Sequence, residues 1–265
     1  MAEILRLKEI EEIEGLKDNS DIKCALALIS EFWDVHCCTI VKGEKPVGVA
    51  LSGLPYEAKI KALDCNPVEA IGATISFSKE IDLQTAKSLS RMDFQTIIAT
   101  KIKEDAKKYL ENCKSRVIEI GFRLDVYKQF LTAVEDKTLT PKGFKVATKL
   151  KPTQEQVEDM VFAWKILKNI KTDGILISKD FKTRAIVFET TPSAVETAMD
   201  NACDGSKEAV LAISKNITDQ KILNPMIQGR ITGIIEPKNY EGKDSQVLKM
   251  AEKYGITVIT VGADE

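Results

Sequence analysis

The chain has 265 residues, 44% of them hydrophobic, which is enough to bury the core of one large domain or of two smaller ones. Its 38 basic and 40 acidic residues are interleaved and give a formal net charge of −2, so no basic stripe is offered to a phosphate backbone and nucleic acid is not an expected partner. No apolar run approaches the roughly 20 residues that cross a bilayer, and Met1-Ala2-Glu3 lacks a signal-peptide pattern. We therefore expect a cytoplasmic protein without a membrane partner.

In the first half of the chain, short β-branched runs alternate with segments of helical period, which predicts helices that cover a mixed sheet. The predicted helices are Ile22–Phe32, Glu57–Leu63, Leu83–Leu89 and Glu104–Asn112. The predicted strands are Cys38–Val41, Val47–Leu51, Ala73–Phe77, Thr96–Ala99 and Arg116–Ile120.

A polar connection with a possible short strand at Phe144–Ala147 follows, and we place the domain boundary near Leu150, which gives domains 1–150 and 151–265. Directly after it, Gln154–Ile170 carries one apolar stripe at helical spacing. Thr153 and Gln156 have the spacing of a capping box at its start. This is the best-marked helix of the sequence.

The second half repeats the alternation and predicts a second α/β lobe. Its predicted helices are Ser193–Ala202, Ile222–Gln228 and Ser245–Tyr254. Its predicted strands are Gly174–Ser178, Arg184–Glu189, Ala209–Ile213, Ile231–Ile235 and Thr257–Val261.

The cysteines and the histidine give no metal-site pattern. The six cysteines lack a framework spacing, so we expect buried thiols and no metal. A redox function of the adjacent Cys37-Cys38 pair is a remaining alternative, although neighbouring cysteines seldom form a bridge. The only histidine, His36, lies between Val35 and Cys37, and we expect it to be structural, although its ordinary pKa keeps the role of a base chemically possible.

Several stretches, in order, resemble the transformylase part of the bifunctional AICAR transformylase family of purine biosynthesis. Cys38–Ala50 is similar to the family's C-x-I-V-K-H-x-N-P-C-G-V-A, and Asn66–Phe77 is similar to D-P-x-S-A-F-G-G-x-x-x-F. Lys145–Thr153 resembles K-V-V-S-x-R-x-P-T. Further matches are Phe162–Lys165 with F-A-W-K and Lys171–Asp180 with K-S-N-A-I-V-x-A-K-D.

This resemblance implies two lobes of cytidine-deaminase-like fold and a homodimer with active sites at its interface. It also implies transfer of a formyl group from 10-formyltetrahydrofolate to the 5-amino group of AICAR. The family's cyclohydrolase domain has no room in 265 residues, so its activity is not expected. The zinc signature of the deaminases is absent from the sequence, so that likeness concerns the fold alone.

Carried over position by position, the resemblance gives Lys42 and Asp173 as the catalytic candidates. Gly43 replaces the histidine that follows the lysine in the family, and Asp173 replaces an asparagine, which exchanges a donor and acceptor for an ionised acceptor. The family's F-x-F-R-D segment falls near Asn216–Lys221, where both aromatic residues and the Arg-Asp pair are missing. Formyl transfer needs a base and oxyanion donors, so these replacements weaken the expected chemistry.

The candidates for substrate binding are Arg6, Gly72 and Gln95. Arg6 resembles a phosphate-contacting arginine, Gly72 a glycine that lets backbone approach a ligand, and Gln95 stands in place of an acidic contact. Glu69 replaces a small hydroxyl residue and would oppose an anionic phosphate. Two hypotheses follow: an AICAR-type formyltransferase with a rearranged site, or a pseudoenzyme that binds a nucleotide, a folate or a partner protein.

Overall fold

The computed structural model describes residues 4–16, 19–134, 144–238 and 245–262. The chain divides into two compact units, Met1–Glu135 and Asp136–Glu265. This division precedes Leu150 because the strand Phe144–Val146 pairs with the second unit's strand Thr257–Val261. That 1–150 and 151–265 are transformylase lobes stays a prediction.

The first unit is a mixed sheet with helices on both faces. Its strands are β1 (Leu5–Leu7), β2 (His36–Lys42), β3 (Lys45–Ser52), β4 (Thr74–Phe77), β5 (Thr96–Ala99) and β6 (Arg116–Ile120). Its helices are α1 (Asn19–Ser30), α2 (Pro55–Leu63), α3 (Leu83–Leu89), α4 (Glu104–Leu110) and α5 (Leu124–Val134). Strand β1 and helix α5 were not predicted from the sequence.

The strand order in this unit is β1-β6-β5-β4-β2-β3. Strand β2 is antiparallel to both β3 and β4, whereas β4, β5, β6 and β1 are parallel. One core cluster joins the sheet to α2, α3 and α4, and includes Ile40, Ile75, Ala62, Leu89 and Leu110. Helices α1 and α5 pack against each other, and α1 also packs on β2 and β4.

The second unit has strands β7 (Phe144–Val146), β8 (Ile175–Lys179), β9 (Lys182–Val187), β10 (Val210–Ile213), β11 (Gly233–Pro237) and β12 (Thr257–Val261). Its helices are α6 (Gln154–Leu167), α7 (Pro192–Ala202), α8 (Leu223–Gln228) and α9 (Ser245–Lys253). The predicted capping box at the start of α6 is confirmed: Gln156 N–H donates to Thr153 Oγ1, and Thr153 N–H donates to Gln156 Oε1.

The strand order in the second unit is β9-β8-β10-β11-β12-β7. Strand β8 is antiparallel to β9 and β10, the strands β10, β11 and β12 are parallel, and β7 is antiparallel to β12. A core cluster joins this sheet to α7, α8 and α9, while α6 packs on β8, β10 and β11. The predicted α/β class, with mixed sheets covered by helices, is confirmed in both units.

The structure also shows how far the cysteines are buried and how long and apolar the helices are. Cys37, Cys38 and Cys113 are buried thiols as predicted, but Cys203 is exposed, which corrects the expectation for that cysteine. Within the described ranges, no helix is both long and apolar enough to cross a membrane.

Candidate functional site

Lys42 is the last residue of β2, at the edge of the first unit's sheet where the parallel strands begin. Its Nζ donates to the backbone carbonyl of Ile71 at 2.8 Å and lies 3.9 Å from Glu69 Oε2. The lysine side chain is 44% exposed and the glutamate side chain 59% exposed. An ion pair this exposed contributes about 0–1 kcal/mol, so a ligand anion can compete with Glu69 for the ammonium group.

Gly72 and Gln95 lie at this same edge. Gly72 has a φ of +71°, a conformation that favours glycine, and its N–H donates to the carbonyl of Asp93 at 2.7 Å. Gln95 N–H donates to the carbonyl of Ala73 at 3.0 Å. Because Lys42 donates to Ile71, next to Gly72, the structure brings Lys42, Gly72 and Gln95 to one edge of the first unit.

Arg6 does not belong to this group. It lies on β1, pairs in register with Glu119 of β6 and places its Nε 4.0 Å from a Glu119 carboxylate oxygen. Three strands separate β1 from β2. At 4.7–4.9 Å between neighbouring strands, this separation is about 19 Å, and its side chain is 67% exposed. Arg6 therefore lies apart from Lys42 in the first unit, and its role as a phosphate contact stays a prediction.

The turn after Lys42 explains what Gly43 does in the structure. Gly43 and Glu44 have φ values of +58° and +61°, the two-residue loop geometry that joins antiparallel strands with a right-handed twist. The Asp21 carboxylate on α1 accepts both turn N–H groups, from Gly43 at 3.2 Å and from Glu44 at 2.6 Å. Gly43 thus supplies a tight turn and brings no side chain that could accept a proton beside Lys42.

Asp173 precedes β8 in the second unit. Its Oδ2 lies 2.5 Å from Lys215 Nζ, and Ser214 Oγ is 3.5 Å from its Oδ1. The aspartate side chain is 47% exposed and the lysine side chain 61% exposed. An ionised carboxylate engaged by an ammonium group can accept a hydrogen bond from a ligand amine or hydroxyl but cannot donate one.

The Lys42 arrangement has a counterpart in the second unit that sequence reasoning missed. Lys179 ends β8, and its Nζ donates to the carbonyl of Lys207 at 3.0 Å and lies 3.1 Å from Glu208 Oε2. Ile71 and Lys207 each stand three residues before the next strand begins. The sequence signal is the spacing Lys42-Gly43-Glu44-Lys45, which recurs as Lys179-Asp180-Phe181-Lys182.

The turn between β8 and β9 repeats the other half of this arrangement. Asp180 and Phe181 have φ values of +58° and +53°, and their N–H groups donate to the Asp159 carboxylate on α6 at 2.9 and 2.8 Å. In both units, therefore, a lysine at the end of a strand donates a hydrogen bond to a loop carbonyl, and an aspartate on a helix accepts the N–H groups of the turn that follows the lysine. Lys42 has a structural function of this kind whether or not a ligand binds it.

Within the part of the chain that the structure describes, no group of three or more histidine, cysteine, aspartate or glutamate side chains could hold a metal ion. The buried Lys59 is a further residue that the sequence did not indicate. Its Nζ lies 4.8 Å from the Tyr56 ring centroid and hydrogen-bonds Ser88 Oγ. Burial lowers the pKa of Lys59, and the nearby Cys38 opposes this change.

Comparison with known proteins gives a family model, described as AICARFT/IMPCHase bienzyme, that matches residues 8–190. The bifunctional purine biosynthesis protein PurH of Aquifex aeolicus is 31% identical over 98% of this chain and 53% of its own length. The PurH protein of Caldicellulosiruptor saccharolyticus is 30% identical over 91% of this chain and 49% of its own length. The chain thus spans about half the length of the curated relatives it matches.

Among solved structures, Acinetobacter baumannii RibD covers 96% of this chain and 75% of its own chain, with 12% identity and a TM-score of 0.31, which is too low to assign a shared fold. The family match is stronger evidence than this structural likeness, since it spans more than half of the chain and includes both Lys42 and Asp173. On the strength of this match and of the relatives that align along nearly its whole length, the chain belongs to the AICARFT/IMPCHase bienzyme family.

Proposed function

We propose that the chain is an AICAR transformylase-like protein of purine biosynthesis that binds an AICAR-like nucleotide at the edge formed by Lys42, Gly72 and Gln95, and that it does not sustain formyl transfer from 10-formyltetrahydrofolate. The observation that supports binding is the Lys42 ammonium group, which is 44% exposed and which contacts a carbonyl and one weakly paired carboxylate. Such a group suits a nucleotide phosphate.

The observation that speaks against efficient catalysis is the turn that follows Lys42. Loss of a general base costs about 10²–10⁴ in rate, and Gly43 has no side chain to replace one. Asp173, the other catalytic candidate, is an acceptor already engaged by Lys215 at 2.5 Å. We therefore favour binding without formyl transfer, in a cytoplasmic homodimer.

The second candidate function is formyl transfer itself. It is favoured by the family match across residues 8–190, which includes both catalytic candidates. In this alternative, AICAR and 10-formyltetrahydrofolate bind the homodimer, and the partner subunit supplies groups that replace the missing base.

Thermal unfolding in the presence of AICAR, IMP and a folate tests the binding proposal. A nucleotide at 100 times its Kd stabilises the folded state by about 2.7 kcal/mol, which raises the Tm by several degrees. We expect AICAR to raise the Tm of the native chain and to leave the Tm of Lys42→Ala unchanged. The loss follows from removal of the cation that the nucleotide phosphate contacts.

Lys179→Ala is the matched control, because it removes the corresponding lysine contacts, to a loop carbonyl and a glutamate, from the second unit. It should lower the Tm of the free protein much as Lys42→Ala does, yet keep the shift caused by AICAR. An undiminished AICAR shift in Lys42→Ala would exclude Lys42 from the site, and no shift with any of the three ligands in the native chain would refute the binding proposal.

A further inference from the structure

Glu69 lies beside the ammonium group that the proposed nucleotide needs. Its Oε2 is 3.9 Å from Lys42 Nζ, while the carbonyl of Ile71 accepts a hydrogen bond from the same Nζ at 2.8 Å. Both partners come from one loop, residues 64–73, between α2 and β4. The lysine therefore has a carboxylate of its own chain beside it before any ligand anion arrives.

The loop that carries Glu69 is held by its own hydrogen bonds. Glu69 N–H donates to Asn66 Oδ1 at 3.2 Å, and Ala70 N–H donates to the carbonyl of Asn66 at 3.3 Å. Ala70 is buried, with 3% of its surface exposed. The backbone of Glu69 is thus fixed, and the carboxylate stays within reach of Lys42 when a ligand binds.

The distance between Glu69 and Lys42 decides how a bound phosphate is affected. A phosphate oxygen that accepts from Lys42 Nζ at about 2.8 Å lies within about 7 Å of Glu69 Oε2, because Oε2 is 3.9 Å from the same nitrogen. Even with the dielectric constant of water, repulsion at this distance weakens binding by about 3-fold for each negative charge on the ligand. A phosphate monoester carries nearly two charges above about pH 7. Glu69 therefore opposes the phosphate of a nucleotide more than it opposes the uncharged parts.

The second unit pairs its strand-ending lysine more tightly. Glu208 Oε2 lies 3.1 Å from Lys179 Nζ, whereas Glu69 Oε2 lies 3.9 Å from Lys42 Nζ. The Lys179 side chain is 28% exposed and the Lys42 side chain 44% exposed. The longer distance and the greater exposure make the lysine of the first unit the easier of the two for a ligand to reach.

Asp21, Glu44 and Lys45 also bring charges to this end of the first unit. The Asp21 carboxylate accepts two turn N–H groups, and these neutral donors leave its charge in place. All three side chains act in the same way in the native chain and in a variant of Glu69. A comparison of the two proteins therefore isolates the carboxylate beside Lys42.

We propose that Glu69 is a specificity-determining residue of the Lys42 edge, which competes with the ligand phosphate for the ammonium group and so lowers the preference for a nucleotide over its nucleoside. This inference rests on the proposed binding of a nucleotide at Lys42. In the free protein Glu69 pairs with the lysine, and in the complex the phosphate takes that place. One ion pair is exchanged for another, so added salt changes the affinity little. Without the carboxylate, binding gains an ion pair, which salt screens.

Calorimetric titration with AICAR, and with the nucleoside that lacks its phosphate, tests the proposal at about pH 8. We expect Glu69→Gln to bind AICAR about 3- to 10-fold more tightly than the native chain does, and to bind the nucleoside with native affinity. Raising the salt concentration from about 50 mM to about 500 mM should weaken AICAR binding by Glu69→Gln and leave native binding nearly unchanged. Glu69→Asp keeps the charge and should keep the native preference.

Glu208→Gln is the matched control, because it removes the carboxylate beside Lys179 and should leave the affinity for AICAR unchanged. Equal AICAR affinities in the native chain and Glu69→Gln, or equal gains for AICAR and the nucleoside, would refute the role of Glu69 and leave nucleotide binding intact. Absence of AICAR binding in both proteins would instead refute the proposed function, and this inference with it.

Discussion

Glu236 is a carboxyl group buried on β11, 8% exposed, whose Oε2 accepts the N–H of Ile217 at 2.8 Å. Burial raises the pKa of Glu236 from 4.5 to about 7, although the hydrogen bond from Ile217 favours the ionised form. Removal from water is therefore the stronger effect, since one backbone donor cannot replace the hydration of a carboxylate.

Because the folded-state pKa is raised, the stability that Glu236 contributes is fully present below pH 4.5 and is lost as the pH rises through about 7. The loss corresponds to about 3 kcal/mol. We expect Glu236→Gln, which stays neutral, to remove this fall, so that the variant gains stability over the native chain between pH 5 and pH 8. Urea unfolding of both proteins at several pH values measures this difference in the free energy of unfolding.

The exposed Glu196 provides the control, since Glu196→Gln should leave the pH dependence as it is in the native chain. If Glu236→Gln showed the same decline in unfolding free energy from pH 5 to pH 8 as the native chain, ionisation of the buried Glu236 carboxyl group would not be the cause of that decline.

The two hairpins show how an element is fixed by a side chain far from it in sequence. Asp21 and Asp159 each lie on a helix and each accept two N–H groups from a turn in which both residues have positive φ. Asp180 and Phe181 are not glycines, so their left-handed backbone carries a steric cost that these hydrogen bonds offset. The helix and the hairpin are thereby locked in register.

We expect Asp159→Ala to lower the free energy of unfolding by about 1–3 kcal/mol, because two turn N–H groups lose a charged acceptor. Asp21→Ala should have a comparable effect in the first unit. Hydrogen exchange should show faster exchange at Asp180 and Phe181 in the first variant and at Gly43 and Glu44 in the second. Asp34→Ala, at an exposed position, is the control. Unchanged exchange at the turn amides in Asp159→Ala and Asp21→Ala would contradict the stabilisation of the turns by these carboxylates.

Prediction of the elements succeeded where the local pattern was strong. Helix α3 and strands β5, β6 and β12 have the predicted bounds, because short β-branched runs and an Asp82 cap mark them in the sequence. Helix α5 was missed although Leu124, Tyr127 and Leu131 have helical spacing, and β1 was missed because three residues give too short a period. Strand β9 begins at Lys182, two residues before the predicted start, because the tight turn places Lys182 opposite Lys179.

Across the whole chain, the candidate site was only partly predictable. Lys42, Gly72 and Gln95 were found through motif resemblance, and the structure brings them to one edge. The partners that define their chemistry, Asp21 and the carbonyl of Ile71, depend on contacts between distant segments, which no local pattern encodes.

At the scale of the whole molecule, our proposal is that the chain binds a nucleotide at the Lys42 edge but does not sustain formyl transfer. A single-turnover reaction with enzyme in excess over AICAR and with saturating 10-formyltetrahydrofolate, run beside the Aquifex aeolicus relative, measures that chemistry directly. We predict product formation at least about 10²-fold slower than in the relative, both for the native chain and for Gly43→His, because the other partners of a base are also missing. Formation of formylated nucleotide by the native chain at the rate of the relative would contradict the claim.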